Sequence, residues 1–94
     1  MAKNTELTEI KTKIVYKMHK SRHYNKRHTP IDNICKRMQK ISCKNIRRGI
    51  KELNKEQIII IKPTYHGADV SLNVKKKKEI DEYLKLYQSA FRQC

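Results

Sequence analysis

Apolar positions along the 94-residue chain follow a helical period, switch to alternation, and return to a helical period. Leu7, Ile10, Ile14, Val15 and Met18 recur at i, i+3, i+4 spacing, with Lys11, Lys13, Lys17 and Lys20 between them. This predicts an amphipathic first helix over residues 8–20, capped by the hydroxyl of Thr5 or Thr8. Residues 21–28, SRHYNKRH, lose that period and read as a basic loop or a frayed extension of the helix. The run Thr29, Pro30, Ile31, Asp32 then offers a cap hydroxyl, a proline for the first helical position and a first-turn carboxylate. A second helix over 30–39 is expected, with Ile31, Ile34, Cys35 and Met38 as its apolar stripe.

Only a short turn fits between Met38 and Cys43, and Ser42 is placed to cap a third helix. That helix, 43–55, turns Ile46, Ile50 and Leu53 to one side and Lys44, Arg47, Arg48, Lys51 and Lys55 to the other. One face suits a core and the other suits an anion. Two helices joined so tightly must cross steeply, which presents the outer face of the second. Gly49, on the flank of the inner face, allows another helix to approach closely at about 1 kcal/mol of helix propensity.

The period then changes to two. Four isoleucines, Ile58 to Ile61, read as a strand that Pro63 ends, and Val70, Leu72 and Val74 alternate with Ser71 and Asn73 across a turn containing Gly67. A hairpin over 57–74 is expected. Its first strand is apolar on both faces, so a second cover is required. The last helix, 76–92, is a candidate, because Ile80, Tyr83, Leu84, Tyr87 and Phe91 form a heptad-like seam. That seam either folds back on the hairpin or pairs with a second copy. A homodimer is the preferred expectation, since a chain of this size with 37% hydrophobic residues gains from shared burial.

Charge narrows the function. The formal net charge is +14, from 23 Lys and Arg against 9 Asp and Glu, and a polyanion relieves the self-repulsion. Nucleic acid is favoured over a membrane, because no apolar run approaches the ~18 residues of a spanning helix. The first ten residues lack the apolar stretch of a signal peptide, so a cytoplasmic location is expected. The size suits one domain, 1–94. Three cysteines form no CxxC pair; Cys35 and Cys43 are expected as small buried hydrophobes, and Cys94 as inert or as a cross-link between copies.

Enzyme chemistry finds no support. Paired carboxylates, a phosphate-binding glycine loop and a nucleophile elbow are all missing from the sequence. His19 and His23 have the i, i+4 spacing of a zinc pair but lack further ligands nearby, so neither a metal nor a cofactor is expected. The basic stripe of the third helix carries the chemistry instead. Arginine can donate both prongs to guanine O6 and N7, which makes Arg47 and Arg48 the candidates for base contact, while Lys44, Lys51 and Lys55 suit phosphates and Asn45 is a further DNA-binding candidate. Arg22, Lys26 and Arg27 in the basic loop are further candidates for phosphate or sugar contacts, and Lys62, Tyr65 and His66 near the hairpin tip for the adjacent backbone or minor groove. A solvated charged surface is the bland alternative for the loop and the tip. Residues 75–78, four lysines, read as a phosphate contact or a frayed first turn.

Several segments also carry a likeness. KIVYKMHK in the first helix, HTPIDN opening the second and IKPTYHGADVSLN across the hairpin resemble small basic archaeal winged helix-turn-helix DNA-binding proteins, over residues 10–86. The resemblance implies a mainly α fold with a small β-hairpin as the wing, an additional C-terminal helix, and sequence-specific double-stranded DNA binding in transcriptional regulation. An RNA-binding module, or an architectural or protein-interaction subunit with loose affinity for polyanions, are the alternatives. One departure stands out: many winged helices close the reading helix with glycine, where this chain has Glu56, and Asn54 is the expected left-handed cap.

Overall fold

Five helical segments and three short strands organise residues 2–65 and 67–90, which are the residues described by the computed structural model. The order is α1 (Ala2–Lys20), β1 (Thr29–Pro30), α2 (Ile31–Arg37), α3 (Cys43–Lys55), β2 (Ile59–Thr64), β3 (Gly67–Leu72), a 3-10 turn (Val74–Lys76) and α4 (Lys77–Ala90). The fold is mixed α/β, mostly helical, and its layout is compatible with a winged helix. Where the hairpin alone was expected, the sheet has three antiparallel strands in the order β1-β3-β2. The third strand comes from Thr29 and Pro30, which pair with Val70 and Asp69.

That pairing shifts the start of α2. Thr29 is buried in the sheet and caps nothing, while Pro30, at φ −63° and ψ 145°, stands at the N-cap rather than at the first helical position. Proline sets φ to about this value in either role, and only ψ separates extended chain from helix. At the other end α2 stops at Arg37, two residues short of expectation. α1, in turn, begins at Ala2, so Thr8 lies inside the helix and its carbonyl accepts from the buried Thr12 hydroxyl at 2.7 Å.

α3 has the predicted bounds. Ser42 Oγ accepts from the Asn45 N–H at 3.2 Å, and Ile46, Gly49, Ile50 and Leu53 are buried. A Cβ on Gly49 would stand 2.9 Å from Ile14 Cδ1 and 3.1 Å from Ile10 Cγ2, so the missing side chain sets the α1–α3 spacing. The end of α3 differs from expectation. Gln57, not Asn54, adopts the left-handed conformation at φ 65°, and the Ile58 and Gln57 N–H groups donate to the Leu53 and Asn54 carbonyls. This is a Schellman closure, locked by burial of Leu53 and Ile58 in one core. The Asn54 amide instead donates to the Ile59 carbonyl at 2.9 Å.

Pro63 does not end β2. It sits within the strand opposite Ala68, which the sheet tolerates because β2 is an edge and needs no outward N–H. Ile58 and Ile59 are buried and Ile61 half-buried, but Ile60 is 44% exposed, so the expected second cover over this strand is not supplied. α4 lies on α1 instead. Ile80 enters the core, Tyr83 and Leu84 pack against it, and the Tyr87 ring stacks on Tyr16 with centroids 3.8 Å apart. The described part of the heptad seam is therefore occupied within one chain. Phe91 and Cys94, the remaining members of the proposed dimer contacts, lie outside the described residues, as does His66. The lysine run opens in the 3-10 turn, where Asn73 Oδ1 accepts from the Lys75 N–H at 3.1 Å, and Lys77 pairs with Asp81. Val74, expected as a strand residue, belongs to that turn.

Candidate nucleic-acid interface

Because the inner face of α3 is buried in the core, its outer face is fixed in direction. Lys44, Arg48, Lys51 and Lys55 fall within about 60° of arc at 100° per residue, with Arg47 beside them, and all five are exposed. Among the described residues, Lys44, Arg48 and Lys51 meet no carboxylate. Lys55 pairs with Glu52 at 3.4 Å, an exposed i, i+3 contact that contributes little. Asn45, half-buried at the start of the helix, holds its backbone N–H on the Ser42 cap.

Arg47 has a partner that the sequence pattern did not suggest. Its guanidinium donates to Asp32 Oδ1 at 2.9 Å, across the gap between α2 and α3. The first-turn carboxylate that signalled a helix start thus orients a cation on the neighbouring helix. Both groups are more than half exposed, so the pair is a positioning contact rather than a source of stability.

A covalent link lies between the same two helices. Cys35 and Cys43, expected as small buried hydrophobes, are half-buried and form a disulfide with Cα atoms 5.1 Å apart. Each cysteine occupies the side of its helix that faces the other across the turn, and the only sequence signal for this was their bracketing of a tight turn. The bond ties the end of α2 to the first residue of α3.

Lys62 lies on β2 toward the tip of the hairpin. Lys62 stands opposite Asp69, which accepts from His28 at 3.0 Å when that ring is the donor, and Asp69 also pairs with Pro30, two residues before Asp32. Lys62 is exposed and Tyr65, at the tip, is 92% exposed. Gly67, at φ 129°, closes that turn in a conformation that side chains disfavour.

The loop candidates separate. Lys26 is exposed between the helices, whereas Arg22 and Arg27 line an open groove with α1 and α4, which no residue of α3 enters. His19 and His23 use ring nitrogens on the Tyr24 hydroxyl (2.7 Å) and the Arg27 carbonyl (3.2 Å). No family model, curated protein or solved structure matches this chain. No helix among the described residues is long and apolar enough to cross a membrane.

Behind the basic face, a polar cluster pins the end of α3 to α1 and α4. Glu56 accepts from the Lys11 ammonium and from the Tyr83 hydroxyl, the latter at 2.7 Å. Burial alone would lower the Lys11 pKa, but its hydrogen bonds to Glu56 and Tyr83 outweigh this and hold it above 10.5. Burial, then the bond to Glu56, hold the Tyr83 phenol above 10.0. Both folded-state values are raised, so their contribution is complete below the unfolded values and is lost as pH rises through the folded ones. Thermal unfolding should therefore be insensitive to these groups up to about pH 10 and fall more steeply above it. Tyr83→Phe should flatten that alkaline fall; an unchanged profile would remove Tyr83 from the linkage.

Proposed function

We propose that this chain binds double-stranded DNA in a sequence-dependent way, as a winged-helix regulator with α3 in the major groove and the β2–β3 hairpin alongside. The observation that carries the reading is the basic stripe of α3: exposed along its length, opposite a fully buried face, with three cations free of carboxylates among the described residues. The cap at Ser42 and the disulfide hold that stripe in one orientation. Pre-positioned cations lose less freedom on binding than flexible ones.

In this reading Arg48 reads base edges, Arg47 exchanges Asp32 for a base or a phosphate, and Lys44, Lys51 and Lys55 neutralise phosphates. Lys62 and Tyr65 reach the adjacent backbone from the wing. The likeness to small basic archaeal winged-helix proteins, carried by HTPIDN and the hairpin segment, agrees with it as an analogy of sequence.

Salt titration of duplex binding supplies the test. With about five phosphates neutralised, log K should fall against log salt with a slope of about −4 to −5, and Lys44→Ala should make the slope shallower by about one. Selection from a random duplex pool should yield a preferred sequence. Equal affinity for all duplexes would demote the chain to an architectural polyanion binder, and preference for structured RNA at the same salt would favour the RNA reading.

A further inference from the structure

A second cationic site lies away from α3. The carboxyl end of α1, the loop after it and α4 enclose an open groove of about 990 Å³, at the top of the ~300–1,000 Å³ range of small-molecule sites. Lys20, Arg22, Arg27 and Lys77 stand around it, His19 and Tyr24 give it an aromatic wall beside Tyr16, whose ring is already stacked on Tyr87, and among the described residues no carboxylate lines it. Lys77 is partly neutralised by Asp81 at 3.1 Å. Lys20 lies over the Tyr16 ring at 5.9 Å, and among the described residues neither Arg22 nor Arg27 meets an acid.

The backbone at Arg22 is a separate observation. α1 closes with the His23 N–H on the Met18 carbonyl and the Arg22 N–H on the His19 carbonyl, a Schellman cap with Arg22 in its left-handed position at φ 58°. Glycine suits that position, and a side chain there costs roughly 1 kcal/mol. A guanidinium is held at the rim of the groove where the fold alone would favour glycine.

Three cations that meet no acid among the described residues, an aromatic wall and an amide at Gln88 match an anion that carries a flat ring. We infer that this groove binds a free nucleoside phosphate, with Arg22, Arg27 and Lys20 on the phosphates and the ring against the His19–Tyr24 side. The site is separate from the DNA-reading face, and its test does not depend on that reading.

Titration calorimetry with ATP at fixed salt reads it directly, with inorganic tripolyphosphate as the ring-free probe. ATP should bind saturably and at least tenfold more tightly than tripolyphosphate. Arg27→Ala should weaken ATP at least tenfold. Arg22→Gly is the sharper variant, because it should raise the thermal midpoint while also weakening ATP at least tenfold, which separates binding from folding. Arg48→Ala with Lys51→Ala should change ATP affinity less than twofold. Equal affinity for the two probes, full ATP affinity in Arg22→Gly, or a comparable loss in the α3 double variant would each overturn the assignment, leaving general attraction of polyanions to a cationic protein.

Discussion

Replacing Arg47 and Arg48 together with alanine should weaken binding to the preferred duplex by about 2 to 4 kcal/mol at fixed salt, roughly 30- to 1,000-fold, since each two-pronged base contact contributes about 1 to 3 kcal/mol. The two arginines should not contribute equally. Arg48 has no acid to leave among the described residues, whereas Arg47 must give up its 2.9 Å contact with Asp32, worth about 0.2 to 1 kcal/mol at an exposed site. Arg48→Ala alone should therefore account for most of the loss, and Asp32→Ala should improve binding slightly by freeing Arg47. Both arginines are exposed and alanine favours helix, so the thermal midpoint should hold or rise. Competition binding against a scrambled duplex measures the effect. If the double variant matches the parent at the same salt, α3 is not the reading helix.

Opening the Cys35–Cys43 bond should cost about 2.5 kcal/mol of folding stability, the loop-closure value for a sequence separation of 8. For a domain of this length that corresponds to a fall in Tm of roughly 10 to 20 °C. Cys35→Ser and the reduced parent should unfold at similar denaturant concentrations, and excess reductant should leave the Cys35→Ser midpoint unchanged. Thiol titration of the denatured chain should find two more free thiols after reduction than before. If reductant does not shift the parent, the bond contributes nothing to the fold. Because the bond joins α2 to the first residue of α3, its loss also loosens the angle at which α3 is presented. Reducing compartments keep most such bonds open, so under the DNA-binding proposal the redox state around the protein should bear on that affinity.

The parts of this molecule legible in its sequence are those decided by neighbours along the chain. α3 was readable to its bounds because Ser42, a short turn and a strict apolar period all act within a few residues. Gly49 was readable as a point of close approach, although the partner helix was not. The elements that shifted are those decided across the fold. Thr29 and Pro30 became a strand because Val70 and Asp69 lie beside them, and Pro63 stayed in a strand because, among the described residues, nothing pairs with its outer edge. The α3 cap moved to Gln57 because Leu53 and Ile58 needed burial together. At the candidate site the cations themselves were visible as a stripe. The Asp32 contact and the disulfide were not, since both depend on the crossing angle of α2 and α3. The same applies to the groove between α1 and α4, whose residues are spread from Tyr16 to Gln88.

The edge position of β2 also bears on how these chains behave in a crowd. Four consecutive isoleucines make the kind of segment that stacks into cross-β fibrils when an open strand edge lets a neighbour add on. The sheet's other edge, β1, is two residues long and runs directly into α2, which leaves little to template. On the β2 edge, Lys62 and Pro63 come straight after the isoleucines, one repelling a like-charged copy and the other withholding an N–H from an incoming strand. The proline that fails to end the strand acts as its gatekeeper.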